Sequence, residues 1–334
     1  MNICLISREY PPETGWGGIG TYTRNLAHGL TKLGHKVYVI AYAPINEIEY
    51  FDGNVYVCRI RQKKIFGTWI LEKCFPFTML LYSFRVFQKL NELIVRFKID
   101  IIEAPEWGAE AFFYSFKKIK PLVIKFHTPM FLVKRINASP KNLRTKIICF
   151  LEKNTSLRAS LLTSPSKILA NIVANEYRFN INKIKVIPNP IDTEIFKPLP
   201  LNNEEMDVLY VGRLEYRKGV HILAEAIPSI INRLPDTKFM FIGEDTKTSP
   251  KNNSMKDYII NKSKSKNLFF LNHVEIDQLP TYYSKSKICV FPSLWEAFGY
   301  TGLEAMACGR PTIITRNFGL SEFINEDVAV KIPS

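Results

Sequence analysis

The chain is predicted to be an α/β protein of two doubly wound parallel sheets, and three observations carry that expectation. Short apolar, β-branched runs recur along its 334 residues: "NICLIS", "KVYVIAY", "IDIIEA", "LVIKFH", "LLTSP", "KVIPN", then "DVLYVG", "KFMFIG", "LFFLN", "ICVFPS" and "PTIIT". Runs separated by helix-length segments call for parallel strands joined by helical crossovers. The series occurs twice, and "IPNPIDTEIFKPLPLNNEEMD", residues 187–207, stands between the halves with four prolines and a polar end. Punctuation of that density marks a linker. The expected organisation is a first domain over 1–190, a linker over 191–206 and a second domain over 207–334. Ligands of doubly wound sheets bind at the carboxyl ends of strands, so two such domains facing each other would hold a substrate in the cleft between them.

Composition bounds the function. Hydrophobic residues make up 46% and charged residues 23%, ordinary for a globular chain. The opening "MNICLISREYPP" has no basic start ahead of an apolar core and lacks the pattern of a signal peptide. The most apolar window, "IFGTWILEKCFPFTMLLYSF", is interrupted by Glu72, Lys73 and Pro76, short of the roughly 20 residues of a spanning helix. A cytoplasmic protein is expected. Six scattered cysteines without a C-x-x-C pair suit reduced core thiols, and the isolated histidines give no metal-ligand spacing, so neither metal nor cofactor is expected. The formal charge of +14 fits phosphorylated substrates, anionic lipid or nucleic acid. No recognised nucleic-acid module accompanies it.

Three motifs could carry chemistry. Near the amino terminus, "ETGWGGIGTYTRN" sets Gly15, Gly17, Gly18 and Gly20 between a strand and a helix, where backbone can approach a ligand and the helix start can face an anion. The order G-x-G-G-x-G is not the dinucleotide fingerprint, and such a loop is equally compatible with a plain turn. In the second half "DVLYVG" runs into "GRLEYRKGVHILAEAI", placing Arg213 and Lys218 where a parallel strand ends, suited to a pyrophosphate or to a solvated basic turn. In "SLWEAFGYTGLEAMACGRP" the strand "KICVFPS" leads through a turn to a short helix closed by Gly309 and Pro311. The N–H groups of Phe298, Gly299, Tyr300 and Thr301 would then face an anion. Glu304, about a turn on, could accept from ribose hydroxyls, and Glu296, before the turn, would reach another part of the ligand.

At these motifs the sequence resembles the retaining family-4 glycosyltransferases of GT-B fold, two facing Rossmann-like domains. The resemblance covers essentially the whole chain and rests on Gly17 and Gly18, on "FHTP" with His127, on "IPNPID" with Asn189, on "GRLEYRKG" with Arg213 and Lys218, and above all on "EAFGYTGLEAMACGRP" with Glu296 and Glu304. It implies a nucleotide-diphosphate sugar donor bound mainly by the second domain: Arg213 and Lys218 on the diphosphate, Glu304 on the ribose, Glu296 on the donor sugar, Gly18 near the phosphate and His127 near the transferred sugar. It further implies hexose transfer with retention to a saccharide or lipid-linked acceptor in surface-glycan assembly, without metal. Glu103 and Glu106 in "IIEAPEWGAEA" suit either acceptor contact or a structural role. The basic and aromatic stretch 59–100 suits either an anionic membrane surface, placing the protein peripherally at the inner face, or a core helix with a solvated basic side. The family continues through further helices beyond "GLSEFINEDVAVKIPS", so the second domain is expected to lack its closing helices. An inactive sugar-nucleotide-binding remnant is the alternative to an active enzyme.

Overall fold

The computed structural model describes residues 1–15, 17–62, 72, 74–117, 119–137, 142–200 and 205–333. The chain divides into two compact units, Met1–Pro190 and Ile191–Ser334. In the first, strands β1 (Asn2–Ile6), β2 (Lys36–Tyr42), β3 (Ile48–Asp52), β4 (Val55–Ile60), β5 (Ile101–Pro105), β6 (Leu122–Lys125), β7 (Leu161–Ser164) and β8 (Ile184–Val186) form one sheet in the order β3-β4-β2-β1-β5-β6-β7-β8. Every pairing is parallel except β3 with β4. Val37–Ala41 and Val55–Ile60 are buried without interruption, as strands covered on both faces require. The linking helices are α1 (Gly18–Lys32), α2 (Phe77–Phe97), α3 (Tyr114–Lys117), α4 (Met130–Ile136), α5 (Leu143–Leu157) and α6 (Lys167–Tyr177).

The second unit holds β9 (Met206–Val211), β10 (Phe239–Ile242), β11 (Leu268–Leu271), β12 (Ser286–Phe291), β13 (Thr312–Thr315) and β14 (Ala329–Ile332), all parallel, in the order β11-β10-β9-β12-β13-β14. Its helices are α7 (Val220–Arg233), α8 (Met255–Ser263), α9 (Leu279–Ser284) and α10 (Tyr300–Ala307). Strand order reverses direction at β1/β5 in the first unit and at β9/β12 in the second, which marks the two crevices where such sheets take ligands.

Two expectations change. Residues 191–200 are not a free tether: Phe196 is buried in the second unit's core, with Ile191 and Ile195 packed on it, and the Leu199 amide donates to Ser284 (3.2 Å). Residues 201–204 lie outside the described residues. The β3–β4 hairpin stands within what had been expected to be an α/β repeat, turning at Gly53 in the left-handed region (φ 58°).

The expected basic face over 59–100 is also altered. Arg59 is buried, and on α2 Arg85 pairs with Glu47 while Lys89 and Arg96 pair with Glu49. Acids in and beside β3 thus pair with the α2 cations. Lys63 and Lys64 lie outside the described residues. Among the described residues, no helix is long and apolar enough to cross a membrane.

Candidate functional site

In the second unit the site begins where β9 ends. Gly219, the residue before α7, has φ 67°, and a Cβ there would overlap the Pro292 carbonyl oxygen. Only glycine lets the chain leaving β12 lie against the start of α7. The Leu294 amide accordingly donates to the Arg217 carbonyl (2.9 Å). This contact brings Lys218 onto Glu296, with Nζ donating to Oε1. Ser293 Oγ donates to the same oxygen (3.3 Å), and Arg217 stands 3.8 Å from Oε2. Burial pushes the Glu296 carboxyl up, but the Lys218 and Arg217 charges and the bonds from Lys218 and Ser293 outweigh it and hold the group below its ordinary value. Glu296 is a fixed anion.

Lys218, expected from the sequence as a cation at a strand end, is thus held in place by its pair with Glu296. Arg213 is 59% exposed and touches Glu215 at 3.1 Å, while Arg217 binds Glu215 at 2.7 Å. Three cations and two carboxylates share this turn. Arg217 was missed although it lies inside "EYRKG"; a basic residue between Tyr216 and Lys218 has no spacing that distinguishes it from a solvated one.

The second part of the site is the turn into α10. Gly299 has φ 104°, and a Cβ would overlap the Phe318 ring. The turn is laid on the loop after β13: the Gly319 amide donates to Glu296 O (3.0 Å) and Leu320 to Phe298 O (2.7 Å). Phe298 is buried in the core, so its ring is unavailable to a ligand and only its backbone can serve. No side chain caps the start of α10, where Tyr300 and Thr301 stand. One turn on, Glu304 is buried and accepts from the Tyr283 hydroxyl (2.8 Å). Burial raises its carboxyl to about 7, against the Tyr283 bond and the Lys218 charge. Both acids thus lie in the field of Lys218. Among the described residues, no group of His, Cys, Asp and Glu is arranged to hold a metal.

In the first unit Gly17 precedes α1, which no side chain caps. A Cβ on Gly20 would overlap Gly15 O, whereas one on Gly18 would meet nothing within 4 Å. Gly20 is thus required by packing and Gly18 borders open space. The loop ahead of them is held by the buried Arg59, which donates to Tyr10 O (2.8 Å) and Thr14 Oγ1 (3.2 Å) and pairs with Glu13.

His127 follows β6 with its amide donating to both Glu106 oxygens (2.9 and 2.8 Å) and its ring edge-on to Tyr22 (5.0 Å). Burial and the Lys125 charge lower its pKa to about 3, so the imidazole is neutral. Lys125 Nζ donates to Ile187 O (2.7 Å), tying β6 to the segment that carries Asn189. Asn189 is 8% exposed, and its Oδ1 has no partner among the described residues. Two further buried carboxylates brace this end of the sheet and have no sequence signal. Glu152 accepts from Gly108 (3.3 Å) and Met130 (2.9 Å), and Glu110 from the Arg8 amide (3.2 and 3.0 Å).

Known proteins share this architecture. Residues 16–195 match the family model Glycosyltransferase Family 4, and residues 191–332 match Glycosyl transferases group 1. An uncharacterized glycosyltransferase of Methanocaldococcus jannaschii is 28% identical, over 98% of this chain and 84% of its own length. Alpha-monoglucosyldiacylglycerol synthase of Acholeplasma laidlawii is 23% identical, over 98% of this chain and 83% of its own length. Among solved structures, sucrose-phosphate synthase from Thermosynechococcus elongatus superposes with a TM-score of 0.75 at 21% identity, covering 99% of this chain and 86% of that one. The fold is GT-B, and the chain belongs to glycosyltransferase family 4.

Proposed function

We propose that the chain moves a hexose from a nucleoside-diphosphate sugar to a hydroxyl of a saccharide or lipid-linked saccharide, with retention of anomeric configuration and without a metal, in surface-glycan assembly. The observation that carries this reading is the Lys218–Glu296 pair beside the uncapped start of α10, with Glu304 one turn further on. In this reading the diphosphate lies against the amides of Gly299, Tyr300 and Thr301, with Arg213 and Lys218 supplying positive charge. Glu304 accepts from ribose hydroxyls and Glu296, held ionised, from the donor sugar.

As the bond from the anomeric carbon to the diphosphate breaks, its electron pair goes to the phosphate oxygen, where Lys218 and the helix amides stabilise it. The acceptor oxygen bonds to the anomeric carbon on the same face, and its proton passes to the departing phosphate oxygen. In the first unit, Gly18 allows close backbone approach and neutral His127 hydrogen-bonds the transferred sugar without adding charge. Asn189 offers an unpaired buried acceptor beside the same strand ends. The name of the Acholeplasma laidlawii relative, which denotes a glucosylated lipid, lends support to an acceptor carried on lipid, and in this reading the transfer takes place at the inner face of the membrane.

The test is a transfer assay on uridine, guanosine and adenosine diphosphate hexoses with and without a chelator, with the product anomer read by proton NMR. Retention and indifference to the chelator are expected. An inverted product, or activity lost to the chelator and restored by a divalent cation, contradicts the mechanism.

A further inference from the structure

Glu103 and Glu106 share the end of β5, yet their surroundings separate them. Glu106 is fully buried, and its carboxylate is occupied by backbone amides of His127, Trp107 and Thr128. It holds the loop. Glu103, by contrast, gives one oxygen to the Tyr22 hydroxyl (2.7 Å) and is only partly buried.

Glu103 also faces space. Ile6, Tyr22, Thr23, Lys125 and His127 line a cavity with it at the carboxyl ends of β1, β5 and β6, where the strand order of the first unit reverses. Lys125 stands 5.0 Å over the Tyr22 ring while donating to Ile187 O, so the ammonium is fixed without sealing Glu103 into a direct pair. The polar wall therefore offers a carboxylate acceptor, a neutral imidazole and a positioned cation. That combination recognises an uncharged hydroxyl better than a phosphate, which a carboxylate would repel.

We propose that Glu103 is an acceptor-binding residue, taking a hydrogen bond from one hydroxyl of a polyhydroxylated acceptor that reaches into this cavity, whose volume of about 10 Å³ admits a single polar group, with Tyr22 and Lys125 as its positioning residues. The inference rests on the transferase reading above and adds to it the group that selects the acceptor. The hydroxyl belongs to a free sugar or to the sugar head of a glycolipid. A site built to bond a hydroxyl rejects the analogue lacking it, since its own buried polar group is then left unpaired.

Methyl and octyl glycosides of glucose, galactose, mannose and N-acetylglucosamine, with their single-deoxy forms, are the acceptor probes. The variants are Glu103→Gln and Tyr22→Phe, both of which preserve shape. Glu103→Gln is expected to raise the acceptor KM at least about ten-fold, leaving nucleotide binding and donor hydrolysis without acceptor within about two-fold. One deoxy acceptor should lose about 100-fold in the parent chain and far less in Glu103→Gln. Preference for octyl over methyl forms assigns the glycolipid source, and equal use the free sugar. An unchanged acceptor KM, equal losses of transfer and hydrolysis, or the same deoxy penalty in both chains overturns the proposal. Nucleotide binding by the parent chain reports separately on the transferase reading, and its absence removes both.

Discussion

Lys218 gives Glu296 the charge that keeps a largely buried carboxylate ionised, the two side chains being 20% and 12% exposed, so removing one partner should cost more than removing both. Breaking a buried pair leaves an uncompensated charge, typically about 3 kcal/mol or more, whereas replacing the whole pair is closer to neutral. Lys218→Met is therefore expected to lower the denaturant midpoint, and Lys218→Met with Glu296→Gln to recover most of the loss. Equal destabilisation by the single and double variants would show that the pair does not act as a unit. Glu304 makes a different prediction. Its folded pKa of about 7 lies above the ordinary carboxyl value of 4.5, so between those values the folded chain binds more protons than the unfolded one. Its contribution is fully present below about pH 4.5 and is lost as pH rises through 7, worth about 3 kcal/mol. Glu304→Gln should leave stability near pH 4.5 unchanged and raise it at pH 8; a uniform shift at both would contradict the assignment. Sequence made Glu296 and Glu304 legible because both flank one short turn. Glu110 and Glu152 stayed hidden, since Arg8 and Met130 reach them only through the folded sheet.

At the scale of elements, two glycines set the geometry of the second unit's site. Gly219 and Gly299 both sit at positive φ against atoms that cannot yield, the Pro292 carbonyl and the buried Phe318 ring. Gly219→Ala is expected to cost about 3 kcal/mol or more, combining backbone strain with the overlap. A chemical-denaturation midpoint unchanged within error would show that the chain leaving β12 need not approach α7 so closely. Both helix starts were readable from glycine after an apolar run. The reason for glycine was not, because its neighbours come from segments about 70 and 20 residues away in the case of Gly219 and Gly299 respectively. The β3–β4 hairpin had a local signal, Asp52–Gly53 between strand-like runs, which the repeating α/β pattern overshadowed. Arg59 belongs to that hairpin and reaches Tyr10 and Thr14, so an element that looked incidental holds the loop ahead of Gly17 and Gly18.

For the whole molecule, the formal charge of +14 raised three partners, and the structure redistributes it. Cations on α2 are matched by Glu47 and Glu49, while Arg213, Arg217 and Lys218 gather where β9 ends. Net charge is visible in composition, but its placement depends on which acids the sheet brings alongside. The two-sheet α/β class was legible because strand runs recur with helix-length spacing; the docking of residues 191–200 on the second unit was not, because Phe196 looks the same in a linker as in a core. The central claim is that this cationic turn and the start of α10 hold a nucleoside diphosphate. Titration calorimetry of uridine, guanosine and adenosine diphosphates into the full chain tests it most directly. The account predicts selective binding by one nucleotide, weakened at least about ten-fold by Glu304→Ala and by Lys218→Met; binding indifferent to both substitutions, or no binding of any nucleotide, would contradict it.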